Sequence, residues 1–298
     1  MAETVPPTVV YISYGSEANQ VLLLRSLQSF VAAGLTQPVL IFTDRPAYLE
    51  RYLAGCPIRE KIILHPITAE TIRLWRGEQN FTHRLKIQAL AEAFRLTQSP
   101  LLYLDADIVI LRSMQEVFDG LTAGKAFMQV LESELARPAH ALHRKVKKKL
   151  NAFSFTYPPE LSSRLGLQPT FRLHHGLSIW NAGVLGLPLW SEPCLEAVTL
   201  LCDALYLAQP YHIAEQMAFS FILSEKTTLH PTPQLSHYWK TKDAYLALLL
   251  QRLPQAHDYQ SLVQAFEGLP HPESLKETKP GFWAKLKKSI RKRLQLRG

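Results

Sequence analysis

The chain has 298 residues, 47% of them hydrophobic and 19% charged, which supports a large folded α/β chain and excludes global disorder. Its formal net charge of +8 is local: residues 280–298 hold seven of the 33 basic residues and no acidic one, leaving 26 basic against 25 acidic elsewhere. A basic groove for nucleic acid is therefore not expected, and Cys56, Cys194 and Cys202, odd in number and without a Cys-x-x-Cys, suggest neither a disulfide framework nor a zinc site.

Met1-Ala2-Glu3-Thr4 shows no basic region ahead of an apolar core, so no signal peptide is expected, and no 18-residue apolar run predicts a membrane span. A reducing, cytoplasmic location is the expectation. Residues 9–14 predict a first strand stopped by Gly15. Residues 18–30 predict a helix, with Val21, Leu24, Leu27, Gln28 and Val31 near helical spacing and Gly34 ending it. Residues 38–43 give a second strand, followed by Asp44 and a short helix after Pro46, and residues 61–65 give a third strand. Residues 82–96 form a helix with Leu85, Ala89, Ala93 and Leu96 inward. The basic stretch 135–150, with His140, His143, Arg144, Lys145, Lys147, Lys148 and Lys149, reads either as a solvated helix face or as a mobile segment over an active site. Tyr157-Pro158-Pro159 marks a turn, and His174-His175-Gly176 precedes a strand-like run over 177–185. Helices over 192–207 and 214–223 follow.

Strands alternating with helices imply crossovers and a mostly parallel sheet covered on both faces, with ligands bound beyond the carboxyl ends of the strands. Neither a Gly-x-Gly-x-x-Gly nor a Gly-x-x-x-x-Gly-Lys-Ser/Thr loop occurs, which disfavours dinucleotide oxidoreductases and P-loop enzymes.

The most informative segment is Leu101-Leu102-Tyr103-Leu104-Asp105-Ala106-Asp107-Ile108-Val109-Ile110-Leu111. Two carboxylates stand alone in an apolar run that wants burial. They repel one another, and desolvation adds to the cost. A divalent cation at the strand end relieves both and keeps ligand positions for phosphate, which points to a site for a nucleotide diphosphate. A capping turn would also explain two Asp here.

Several segments then line up in order: a β-α-β start, Arg84-Leu85-Lys86-Ile87-Gln88-Ala89-Leu90, the Asp105-Ala106-Asp107 run, Trp180-Asn181-Ala182-Gly183-Val184, Glu215-Gln216 and His237-Tyr238-Trp239. Together they resemble the GT-A-fold Asp-x-Asp glycosyltransferases, most closely family 8 of the nucleotide-diphospho-sugar transferases. The resemblance implies a GT-A (Rossmann-like) α/β fold over residues 8–242, with a mostly parallel sheet flanked by helices. It implies a nucleotide-diphospho-sugar donor, usually a UDP-sugar, and Mn2+ or Mg2+. It places Asp105, Asp107 and His237 on the metal, and Tyr11, Ser13, Tyr14, Arg84, Lys86, Asp105, Ala106 and Lys240 around the nucleotide sugar. Asn181 and Gly183 fall on the sugar or acceptor side, and Glu215 and Gln216 face the reaction centre. Sugar transfer to a glycan or lipid-linked acceptor hydroxyl, with retention, is the implied reaction. A non-catalytic nucleotide-sugar-binding protein and a sugar nucleotidyltransferase are the alternatives. The Gly-rich, Arg-containing loop of the latter is missing from Tyr14-Gly15-Ser16-Glu17.

Residues 243–279 read as a helical extension and linker, and residues 280–298 as a basic amphipathic tail. Trp283, Leu286, Ile290 and Leu294 make one apolar stripe among the cations. Such a tail is expected to lie on an anionic membrane surface, making the chain a peripheral membrane protein.

Overall fold

A computed structural model describes residues 5–138, 141–174 and 176–275. The expected tail at 280–298, and His140 and His175, lie outside the described residues. In chain order the first half contains β1 (Thr8–Ser13), α1 (Glu17–Ala32), β2 (Val39–Thr43), α2 (Pro46–Leu53), β3 (Ile62–Pro66), α3 (Ala69–Arg76), α4 (Arg84–Thr97), β4 (Leu101–Leu104) and β5 (Ile108–Ile110). There follow α5 (Gln115–Thr122), β6 (Ala126–Met128), β7 (Leu131–Glu134), α6 (Ala141–Lys149), β8 (Ser154–Thr156), α7 (Pro159–Leu165), β9 (Thr170–Arg172), β10 (Ser178–Trp180) and β11 (Val184–Leu187). The chain then runs through α8 (Cys194–Ala208), α9 (Ala214–Lys226), β12 (Leu229–His230), β13 (Leu235–His237), α10 (Lys242–Arg252) and α11 (Tyr259–Phe266).

Seven strands form the main sheet in the order β12-β6-β11-β4-β1-β2-β3. Six run the same way, and β11 alone runs against its neighbours β4 and β6. The α/β class with a mostly parallel, helix-flanked sheet is thus the one expected.

Side chains alternate across the sheet, and the alternation sorts them into two cores. Val10, Leu40, Phe42, Leu101 and Tyr103 pack on one face with α4, α8 and α9. Val9, Tyr11, Val39, Ile41, Leu102 and Leu104 pack on the other with α1, α10 and α11. Full burial of each such apolar side chain stabilises the fold by about 1.5–3 kcal/mol relative to exposure. The helical extension shares this second core through Tyr245, Leu249, Tyr259, Leu262 and Phe266. Leu96, expected inward on its helix, is 41% exposed, because it sits at the last turn beyond the reach of the sheet.

Two runs that the sequence presents as single strands are each broken in two. The chain leaves the main sheet after Leu104, turns through Asp105–Asp107 and resumes as β5, which pairs with β13 in a separate ribbon. Likewise residues 177–185 split into β10 and β11 around Asn181-Ala182-Gly183. The two breaks face each other: the Asp105 amide donates to the Gly183 carbonyl at 2.8 Å. Among the described residues no helix is long and apolar enough to cross a membrane.

Candidate functional site

Beyond the carboxyl ends of β1 and β4, the two breaks meet the first turns of α4 and α9. Between them lies a cavity of about 520 Å³, large enough for a small-molecule ligand. Asp105 and Asp107 enter it from the turn after β4. His237 enters from the end of β13, where it pairs with Ile108 across the ribbon. Ligand atoms of Asp105, Asp107 and His237 all lie within 4.8 Å of one another.

The hydrogen bonds around Asn181 decide how His237 is presented. Asn181 Nδ2 donates to Glu132 Oε1 at 2.7 Å, and Asn181 Oδ1 accepts the Gly183 amide at 2.8 Å. A carboxylate accepts only and a backbone N–H donates only, so the amide can point in one sense alone. The same Oδ1 lies 3.0 Å from His237 Nδ1, which must therefore carry the proton. That leaves the Nε2 lone pair facing two carboxylates, 3.4 Å from Asp107 Oδ1 and 3.9 Å from Asp105 Oδ2. A lone pair aimed at two anions needs a proton or a cation between them. With oxygen and imidazole donors converging and the second ring nitrogen tied down, the residues fit a divalent metal. Gly183 belongs to this arrangement, because a Cβ there would collide with the His237 ring.

Asp107 is 4% exposed. Burial alone would raise its pKa, but His237 and the Lys242 ammonium, 3.0 Å from Oδ2, hold it well below the ordinary carboxylate value.

A second charged group lies behind the first. Lys86, in the first turn of α4, is buried; its Nζ donates to the Ala182 carbonyl at 2.8 Å. It lies 3.4 Å from Asp105 Oδ1, 3.1 Å from Glu215 Oε1 and 4.9 Å from the centre of the Tyr103 ring. Desolvation would lower the Lys86 pKa, yet Asp105 and Glu215 outweigh it and keep the amine above its usual value. Tyr103 donates to Asp105 Oδ1 at 2.6 Å. Glu215, in the first turn of α9, is 3% exposed, and burial pushes it up to about 7 against the pull of Lys86. Its Oε1 meets Lys86 as a charge contact, without an aligned hydrogen bond. The next residue, Gln216, donates from Nε2 to Glu132 Oε2 at 2.8 Å.

The structure brings Tyr14, Lys86, Asp105, Ala106 and Asp107 to this cavity, together with Asn181, Gly183, Glu215, Gln216 and His237. Four of the named residues lie elsewhere. Tyr11 and Ser13 alternate with Ile12 and Tyr14 along the strand. Ile12 and Tyr14 reach the cavity, whereas Tyr11 is fully buried in the opposite core and bonded to Ser26. Ser13 is buried beneath the strand end. Arg84 turns away to Asp203 of α8, at 2.8 and 3.0 Å, and to the Trp75 carbonyl at 2.9 Å, so it pins α4 to its neighbours. Lys240 lies over the Trp239 ring, 5.3 Å from its centre.

Sequence reasoning missed Lys242, Glu132, His83 and Trp239, which also line the cavity. His83 is pushed down to about 4 by burial and by the Lys86 charge, so its ring is neutral at neutral pH. Trp239 is 52% exposed at the cavity edge. An aromatic after a candidate metal ligand was the one signal for the last of these.

No protein-family model matches the chain, and no curated protein matches it either. Similar solved structures include galactosyltransferase LgtC in complex with donor and acceptor sugar analogues, at 11% identity and TM-score 0.48, covering 89% of this chain and 98% of that one. The apo form of mouse xyloside xylosyltransferase 1 is similar at 13% identity and TM-score 0.47, covering 76% of this chain and 84% of that one. Glycosyltransferase GlyE of Streptococcus pneumoniae TIGR4 has 12% identity and TM-score 0.44, with 83% of this chain matched to 51% of that one. All three are glycosyltransferases, the class the sequence resembles. The likeness concerns architecture, and the chemistry of the site stands on its own geometry.

Proposed function

We propose that this chain is a metal-dependent glycosyltransferase, moving a sugar from a nucleotide-diphosphate donor, first of all a UDP-sugar, to an acceptor hydroxyl. The observation that carries the reading is the single set of Asp105, Asp107 and the Nε2 of His237, with the ring's tautomer fixed by Asn181. Mixed carboxylate and imidazole donors favour Mn2+, with Mg2+ as the substitute. When bound, the cation supplies Lewis-acid stabilisation to the departing diphosphate.

The chain's own groups do the rest. Transfer breaks the bond between the anomeric carbon and the phosphate oxygen, and the electron pair leaves with the diphosphate. Lys242, at the cavity edge beside Asp107, is placed to meet that growing negative charge. Lys86 fixes Asp105 and Glu215 in one arrangement from below. The acceptor hydroxyl forms the new bond to the anomeric carbon and gives up its proton. Glu215, with a pKa near 7, has the acid–base strength to take part in that proton's departure. Glu132, Asn181 and Gln216 form a connected polar wall suited to sugar hydroxyls. Retention is the stereochemistry that the resemblance implies, and the basic tail would hold the enzyme at an anionic membrane surface.

A screen of UDP- and GDP-sugars for hydrolysis, run with Mn2+ and with EDTA, tests the reading without knowledge of the acceptor. Hydrolysis of one donor that EDTA stops is the expected result. Absence of metal-dependent turnover or binding across the panel would contradict it.

A further inference from the structure

Helix α6 is the most strongly charged element among the described residues. Arg144, Lys145, Lys147, Lys148 and Lys149 occur within its nine residues, which include no acid. Its anchor is apolar: His143, Val146 and Leu150 are buried at helical spacing. Lys145, Lys148 and Lys149 are exposed, and none of the three pairs with a carboxylate among the described residues. Exposed cations elsewhere on the molecule do pair, as Arg59 does with Glu50, Arg95 with Glu92 and Arg164 with Glu196.

Helix stability does not explain the pattern. Lysines in the last turn suit the helix dipole, which accounts for Lys147, Lys148 and Lys149. Arg144 and Lys145 lie further back, where that benefit has faded. They repel Lys148 and Lys149 at i, i+4 spacing. The concentrated charge is thus a cost to the free protein that an anionic ligand would relieve.

The position of the helix says which ligand. His143 is a wall of the cavity, its Nε2 3.6 Å from Glu132 Oε2, and Glu132 in turn holds Asn181 and Gln216. The exposed basic face therefore continues outward from the polar wall that faces the reacting sugar. We propose that α6 docks the acceptor, and that the acceptor is a saccharide carrying phosphate groups, held by Lys145, Lys148 and Lys149 while its hydroxyl reaches into the cavity. This assignment rests on the transferase reading and adds the acceptor's chemical class to it.

The test uses the full chain and the variant Lys145→Gln/Lys148→Gln/Lys149→Gln, which keeps side-chain length and helix propensity. The basic C-terminal segment is present in both and affects both alike. Calorimetry at low salt compares pentamannosyl phosphate with the dephosphorylated pentamannose, with phosphatidylglycerol vesicles as a further arm. The expected result is a preference of about tenfold for the phosphorylated sugar, lost in the variant and weakened by salt, with Mn2+-dependent UDP binding unchanged. Equal binding of the two sugars by the unsubstituted chain, or a preference that the variant keeps, would overturn the proposal. A loss confined to vesicle binding would assign the face to the membrane and overturn it as well. Failure of the unsubstituted chain to bind UDP with Mn2+ would instead overturn the transferase reading, and the acceptor assignment with it.

Discussion

The side-chain oxygen of Asn181 lies 3.0 Å from Nδ1 of His237, and that contact selects which ring nitrogen is free. Asn181→Ala removes the acceptor that fixes the tautomer and frees the ring to rotate. Mn2+ affinity is expected to fall by about 10–100-fold, the usual cost of losing a group that orients a metal ligand. Calorimetric Mn2+ titration measures it, and circular dichroism should show the sheet unchanged.

Gly183 makes the same point through space instead of bonding. Its added Cβ would collide with the His237 ring and come within 3.0 Å of Asn181 Oδ1. Gly183→Ala should therefore displace His237 and weaken Mn2+ at least as much as Asn181→Ala. A variant with unchanged Mn2+ affinity would show that the ring has room to spare.

Lys86 faces two carboxylates from a buried position. Lys86→Met leaves both without their cation, and breaking a buried pair in this way costs about 3–5 kcal/mol. Urea unfolding at pH 8 should show a loss of that order. At pH 5 the loss should be smaller, because Glu215 then holds a proton and no longer needs the amine.

Glu215 gives a pH dependence with a definite sign. Its folded pKa of about 7 stands above the ordinary 4.5, so the native state holds a proton that the unfolded chain releases. Stability should fall as pH rises through that window and level off above it, by about 3 kcal/mol in all. In Glu215→Gln that fall should vanish. Urea unfolding of both proteins at pH 5 and pH 8 measures the difference, and identical changes in the two would contradict the assignment.

The parallel sheet was legible because buried strands write themselves as apolar runs such as Val9-Val10-Tyr11 and Val39-Leu40-Ile41. Asp105 and Asp107 were legible because charge inside such a run has few explanations. The breaks at Asp105–Asp107 and Asn181–Gly183 were not, since local pattern does not say that a strand leaves one sheet for another. Arg84 and Lys86 look alike in sequence, yet one faces Asp203 and the other the cavity, a matter of two positions on a helix. The choice of Lys240 over Lys242 failed to anticipate a turn through Thr241, which sends Lys242 back onto Asp107. Glu132 had no signal, because its partners Asn181 and Gln216 are distant in sequence.

The central claim is that Asp107 helps to hold a cation on which nucleotide-diphosphate binding depends. UDP binding measured by calorimetry, with Mn2+ and with EDTA, for the unsubstituted chain and for Asp107→Asn, tests it most directly. The account predicts binding that requires Mn2+ in the unsubstituted chain and is at least about tenfold weaker in Asp107→Asn, with the fold intact. UDP affinity that is the same in EDTA, or unchanged by Asp107→Asn, would contradict it.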